Sequence, residues 1–144
     1  RLHSQYDFGN VSQQGKLRGR EIARMNPRDA AARAIADGQI VRIFNDQGAC
    51  LAGIKLSEDL RPGVIELPTG AWYDPINASH ELALEVHGNP NVLTEDAGTS
   101  RLAQGSIAHS CLVDVQRYGG DLPEIKCHSQ PAMADEYSRA IAAT

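Results

Sequence analysis

Four strand-like segments and one short helix crowd into residues 21–67, and this spacing limits the possible folds more than any other feature of the chain. A parallel βαβ sheet needs a crossover of a dozen or more residues between paired strands, whereas short strands joined by turns suit a compact barrel. Glu21 to Met25 alternates apolar and polar residues, the period of a half-buried strand. Gln39 to Phe44 concentrates β-branched residues and Asn45 to Gly48 has turn composition. Ala49 to Leu56 then returns as a second strand, which makes a hairpin. A turn over 57–63 leads to another strand, Val64 to Leu67. The helix begins with Asn26 as N-cap, Pro27 at the first helical position and Asp29 in the first turn. It runs through the Ala-rich 30–36 segment to a left-handed stop at Asp37-Gly38.

The flanking segments are less regular. Arg1 to Tyr6 reads as a short strand, and Asp7 to Gly19 as a polar loop with little to bury. Pro68 to His80 is a loop carrying the only tryptophan, Trp72, which beside Gly and Pro reads as a packing plug. Glu81 to Val86 reads as a short strand or a partly ordered insertion. Ser110 to Arg117 alternates as a last strand, with Cys111, Val113 and Val115 on one face. Gly119-Gly120 breaks that strand, 127–131 reads as coil and 132–143 as a short helix. The division expected is a domain over 1–118 and a tail over 119–144. The tail holds few large apolar residues and is expected to be partly mobile.

A chain of 144 residues, 42% of them hydrophobic, is one domain's worth and can bury a core without staples. Its net charge of -4 argues against a nucleic-acid or membrane surface, and the basic piece Lys16 to Arg20 reads as a solvated loop. Three widely separated cysteines, Cys50, Cys111 and Cys127, read as reduced, partly buried thiols. No apolar run is long enough to span a bilayer and no signal peptide is evident. A start at Arg1 without Met reads as a piece of something longer. The phosphate-loop, dinucleotide-fingerprint, zinc-protease and nucleophile-elbow motifs are missing from the sequence. His3, His87, His109 and Cys111 lack the close spacing of a structural zinc site, and hydrogen-bonded or exposed histidines with a core thiol are the simpler reading. Ser106, His109 and Asp114 make a triad only on paper, since a triad is defined by geometry. The Asn-x-Ser patterns at Asn10 and Asn77 read as chance.

Val86 to Cys111 is dense in Asn, Gln, Ser, Thr, His and Gly. Such residues offer neutral donors and acceptors on short arms, and glycine lets backbone N–H groups approach a ligand, so the stretch looks built for grip rather than bond-breaking.

Several segments together carry a resemblance. They are Arg-Leu-His-Ser-Gln at 1–5, Met-Asn-Pro-Arg-Asp-Ala-Ala-Ala-Arg at 25–33, and Asp-Gly-Gln-Ile-Val-Arg-Ile-Phe-Asn-Asp-Gln-Gly at 37–48. Arg-Pro-Gly-Val at 61–64, Thr-Gly-Ala-Trp-Tyr-Asp-Pro at 69–75, Gly-Asn-Pro-Asn-Val-Leu-Thr at 88–94 and Gly-Thr-Ser-Arg-Leu-Ala-Gln-Gly at 98–105 complete the set. In order and spacing the chain resembles, over about residues 1–118, the C-terminal dinucleotide-binding domain of molybdopterin oxidoreductases. It is most similar to the dimethyl sulfoxide, trimethylamine N-oxide and biotin sulfoxide reductases.

That resemblance implies a mainly β fold, a six-stranded double-psi β-barrel with one or two short flanking helices. It also implies a cofactor, bis(molybdopterin guanine dinucleotide) with molybdenum, in the full-length enzyme. The domain would close over it as a lid, with the protein ligand of the metal and most of the substrate funnel on other domains of the parent oxidoreductase. The partners implied are therefore those domains and a small S-oxide or N-oxide substrate. On the matched motifs, Arg1, His3, Ser4 and Gln5 would line one pterin or its phosphates, Asn91 would bind a pterin edge with Asn89 behind it, and Gln104, Gly105 and His109 would lie near the second arm. Trp72 would pack near the cofactor cavity. The segment Cys127-His128-Ser129-Gln130 matches no family motif. A free-standing double-psi barrel serving as a protein-interaction module is the alternative of a different class, because a fold does not fix function.

Overall fold

The computed structural model describes residues 4–80, 82–102, 104, 105, 107 and 111–129. Its frame is one five-stranded mixed sheet of β1 (Ile22–Met25), β2 (Ile40–Phe44), β3 (Ala49–Leu56), β4 (Ile65–Glu66) and β5 (Asp114–Arg117), in the order β4-β1-β3-β2-β5. Two short helices flank it, α1 (Asn10–Gln14) and α2 (Pro27–Ala32). The fold is mainly β, as expected.

The hairpin forms where the sequence places it. β2 and β3 pair antiparallel, Phe44 against Ala49 and Ile40 against Gly53. Asn45 shapes the turn, its Oδ1 accepting from the Gln47 and Gly48 N–H groups at 2.9 and 3.3 Å. β1 lies parallel to β3, Ile22 against Gly53. This one parallel pairing departs from the expectation of turn-linked neighbours: the connection runs through α2 and β2, so a neighbouring strand supplies part of the crossover length.

β3 is the centre. Ala49 to Ile54 are all buried, because the sheet is covered on both faces. Cys50, Ala52 and Ile54 face a main core with Ala23, Met25, Ala30, Val41, Ile43 and Val115. Leu51 faces the other way, onto Ile40 and Val86, with Leu17, Leu84, Tyr118 and Ile125 packed around them. A Cβ on Gly53 would stand 2.6 Å from Leu17 Cβ, so only glycine lets the covering segment lie on the strand.

The helix α2 starts as predicted, with Asn26 Oδ1 accepting from Arg28 N at 2.9 Å and Pro27 in the first turn. It stops at Ala32, short of the Asp37-Gly38 stop expected. Ala34 takes a left-handed φ of 53° and Ile35 N–H reaches back to the Ala30 carbonyl at 2.9 Å. Burying Ile35, 5% exposed, outweighs one more helical turn of exposed alanines.

Three other segments correct the sequence reading. Ser4–Tyr6 is a 3-10 turn, and the strand expected over 1–6 does not form there. The 7–19 loop expected to bury little instead contains α1 and buries Asp7, Ser12 and Lys16. The last strand is shorter than Ser110 to Arg117: β5 begins at Asp114, with Val115 buried and Cys111 exposed. The helix expected over 132–143 lies outside the described residues.

Candidate functional site

Leu84 to Asn89 runs beside the first residues of β3, in line with β1, and Val86 packs on the second face of the sheet with Leu51. Glu85 N–H donates to the Ala49 carbonyl at 3.0 Å, Leu51 N–H to the Glu85 carbonyl at 2.8 Å, and Glu21 N–H to the His87 carbonyl at 2.9 Å. Of the two alternatives for 81–86, the described part is a bridged segment pairing at single residues, Cys50 with Glu85 and Pro75 with Glu85.

The Glu85 side chain holds the turn that comes after it. The carboxylate is fully buried and accepts from four backbone N–H groups: Asp74 at 3.3 Å, His87 at 2.9 Å, Gly88 at 2.7 Å and Asn89 at 2.8 Å. Burial pushes its carboxyl up to about 7, while the four donors favour the ionised form and oppose the rise. Gly88 has a φ of 97°, and a Cβ there would stand 2.5 Å from Glu21 Cβ. Asn89, also buried, caps the next turn, its Oδ1 accepting from Asn91 N at 3.0 Å. The 3-10 turn Pro90–Leu93 then carries Asn91 outward. Asn91 is exposed, and its amide makes no side-chain hydrogen bond among the described residues.

His87 joins this loop to the N-terminal segment. Its Nδ1–H donates to the Trp72 carbonyl at 2.9 Å, and its Nε2 accepts from Lys16 Nζ. Lys16 also pairs with Asp7 at 2.7 Å, both side chains fully buried. Burial works to raise the Asp7 carboxyl, but Lys16, His128 and His87 together hold it below the ordinary carboxylate value. The His87 imidazole is pushed down chiefly by burial, which keeps it neutral. Trp72 Nε1–H donates to the Ser4 carbonyl at 2.7 Å, so Ser4, Trp72 and His87 form one continuous chain of contacts. The indole lies near-parallel to Phe8, centroids 6.4 Å apart, with the His128 ring edge-on at 4.9 Å.

The structure therefore brings Ser4, Trp72, Asn89 and, through Asn89, Asn91 into one region. Trp72 is 37% exposed, a partial plug with one open side. Gln5 sits beside Ser4 and is exposed. Gln104 and Gly105 are exposed on a loop closed by Thr99 N–H to the Gly105 carbonyl at 2.8 Å. Arg1, His3 and His109 lie outside the described residues, as does Ser106 of the paper triad.

Sequence reasoning missed Asp7, Lys16, Glu85 and the residues that close the knot from beyond 118. Asp74 Oδ2 accepts from the backbone N–H groups of Lys126 and of Cys127, the latter at 2.9 Å, and His128 Nε2–H donates to Asp7 Oδ2 at 3.0 Å. The available signal was a charged residue two before His-Gly-Asn: a carboxylate just ahead of a glycine-containing turn is suited to collecting the turn's N–H groups.

The family model for the molydopterin dinucleotide binding domain matches residues 1–112. A dimethyl sulfoxide/trimethylamine N-oxide reductase of Cereibacter sphaeroides is 46% identical over 120 residues, 83% of this chain and 15% of that protein. A biotin sulfoxide reductase of the same organism is 47% identical over 121 residues, 84% of this chain and 16% of its own length. The trimethylamine-N-oxide reductase 1 of Escherichia coli K12 is 45% identical over 126 residues, 87% of this chain and 15% of its length. The chain thus spans about a sixth of these relatives. Among solved structures, the acetylene hydratase of Pelobacter acetylenicus superposes with a TM-score of 0.51 at 16% identity, over 66% of this chain and 13% of that one, a likeness of fold. The chain belongs to the molybdopterin dinucleotide-binding domain family, in the branch of the dimethyl sulfoxide, trimethylamine N-oxide and biotin sulfoxide reductases.

Proposed function

We propose that this chain is the cofactor-gripping part of a molybdenum-dependent reductase of S-oxides or N-oxides. The observation that carries the proposal is the identity of 45 to 47% with reductases of those names across most of the chain's length. The cofactor is bis(molybdopterin guanine dinucleotide), which supplies the metal and its redox chemistry when bound. This chain's own residues hold and orient it. The donor set suits a pterin or guanine edge: an exposed amide at Asn91 with no side-chain hydrogen bond among the described residues, further exposed polar groups at Ser4, Gln5 and Gln104, and the exposed backbone of Gly105. Asn89 acts behind Asn91 by fixing the turn that presents it. Arg1, His3 and His109 complete the set by their place in the matched motifs, and Trp72 borders it. The substrate, and the parent's other domains that complete the site, belong to the same proposal.

The finer architecture follows the family as well. A closed six-stranded double-psi barrel is supported by the Leu84 to Val86 segment, whose hydrogen bonds to β3 continue the line of β1 and make it a candidate sixth strand.

The test is made in the full-length parent protein. Asn91→Ala is expected to lower bound molybdenum and guanine nucleotide at least tenfold while the protein still folds. Full retention of both would overturn the assignment of Asn91. Reduction of dimethyl sulfoxide, trimethylamine N-oxide and biotin sulfoxide by the unaltered parent with a reduced dye tests the activity, and turnover of none of the three would overturn it.

A further inference from the structure

His87, Cys127 and His128 converge from two segments about forty residues apart, and each can offer one metal-ligating atom with all three atoms within 4.8 Å of one another. We propose that they form a binding site for a single zinc-class divalent cation, with the fourth position open to water. A His-Cys-His set is the donor chemistry of a borderline-soft ion, since thiolate and imidazole select zinc or copper over magnesium or calcium. Cys127 Sγ lies 3.1 Å from His87 Nδ1. Two ligands at tetrahedral zinc distances stand roughly 3.6 Å apart, so admission of the ion needs an opening of about half an ångström.

The surroundings are those of a ligating site. Asp7 Oδ2 holds His128 through Nε2 at 3.0 Å, which leaves Nδ1 as the metal donor, and the same oxygen stands 3.7 Å from His87 Nε2. A carboxylate behind each imidazole fixes ring orientation and raises ligand basicity. Asp74 holds the backbone N–H groups of Lys126 and Cys127, setting the position of the thiol. Phe8 and Trp72 flank His128, while Cys127 and His128 are partly exposed and give the ion a way in.

Binding releases one proton. The Cys127 thiol, pushed up to about 12 chiefly by burial in the metal-free state, gives its proton to solvent and forms a sulfur–metal bond. His87 gives up its bond to the Trp72 carbonyl, its proton passes from Nδ1 to Nε2 facing Asp7, and Nδ1 donates its lone pair to the ion. Lys16 releases Nε2 and remains on Asp7 Oδ1. No electron is transferred.

The probe is cobalt(II) chloride, added to the full 144-residue chain carrying Cys111→Ser, which removes the exposed thiol. The expected result is one equivalent bound, with a thiolate-to-cobalt charge-transfer band in the near ultraviolet that zinc chloride abolishes. Cys127→Ser is expected to remove the band, and His128→Gln to weaken binding at least tenfold, with far-ultraviolet circular dichroism checking the fold. If Cys127→Ser does not fold, His128→Gln decides. The proposal is overturned if the folded Cys111→Ser chain shows no band at millimolar cobalt, if the band survives Cys127→Ser, or if His128→Gln binds as tightly as its parent.

Discussion

Residues 85–93 and residues 95–105 are both glycine-containing parts of one largely polar stretch, yet they behave as opposite kinds of structure. In the first, Glu85, Val86, His87, Gly88 and Asn89 are all buried, and each backbone N–H from His87 to Asn89 ends on the Glu85 carboxylate. In the second, Glu95 to Leu102, Gln104 and Gly105 are exposed. Two ties seen there are local, Gln104 to the Ser100 carbonyl at 3.4 Å and Thr99 to Gly105. Polar residues alone do not decide whether a loop is rigid. A buried acceptor within reach of several N–H groups does, because each donor taken out of water must find a partner.

Removing that acceptor gives the largest effect expected. Glu85→Ala strands four buried N–H groups and should lower unfolding stability by about 3 kcal/mol or more, read as a fall in the urea midpoint. A loss under about 1 kcal/mol would mean that water replaces the carboxylate, and the contrast between the two loops would fail. Gly88→Ala comes next, at about 2 kcal/mol, from a left-handed backbone and a Cβ driven against Glu21. Chemical denaturation with an unchanged m-value would separate this strain from a change of fold. The smallest effect belongs to the other loop. In Gly105→Ala the new Cβ meets Thr99 Oγ1 at 3.4 Å, an ordinary contact, and stability should stay within about 0.5 kcal/mol. A thermal shift as large as that of Gly88→Ala would show the second loop to be equally constrained.

The same contrast explains what is legible in the sequence. β1, β2, β3 and the start of α2 can be read from local signals, alternation, β-branching and the Asn26-Pro27 cap, because the residues that define them are neighbours in sequence. β4 and β5 are detectable but read too long: among the described residues, Val64, Leu67 and 111–113 join no strand ladder. The early end of α2 depends on Ile35 reaching a core that no local pattern reveals. The 7–19 segment misleads for a related reason. Asp7 and Lys16 have the composition of a solvated loop and are buried only because they satisfy each other, with His87 and His128 beside them. At the candidate site, Asn91 and Trp72 can be named from their motifs. Glu85 and Asp74, which position them, act through backbone groups and leave no residue pattern on the partner side.

The single carboxylate of Asp7 has a consequence for the order of events in folding. It contacts Lys16, His87 and His128, the last of them 121 positions away along the chain. Lys16 can reach it through a short loop, whereas closing the His128 contact confines nearly the whole polypeptide. The hairpin β2–β3 is local and quick to form, and the parallel partner β1 can join it afterwards. The Asp7 cluster thus ties together residues 7, 16, 87 and 128, and its His128 contact carries the largest loop-closure cost of the three.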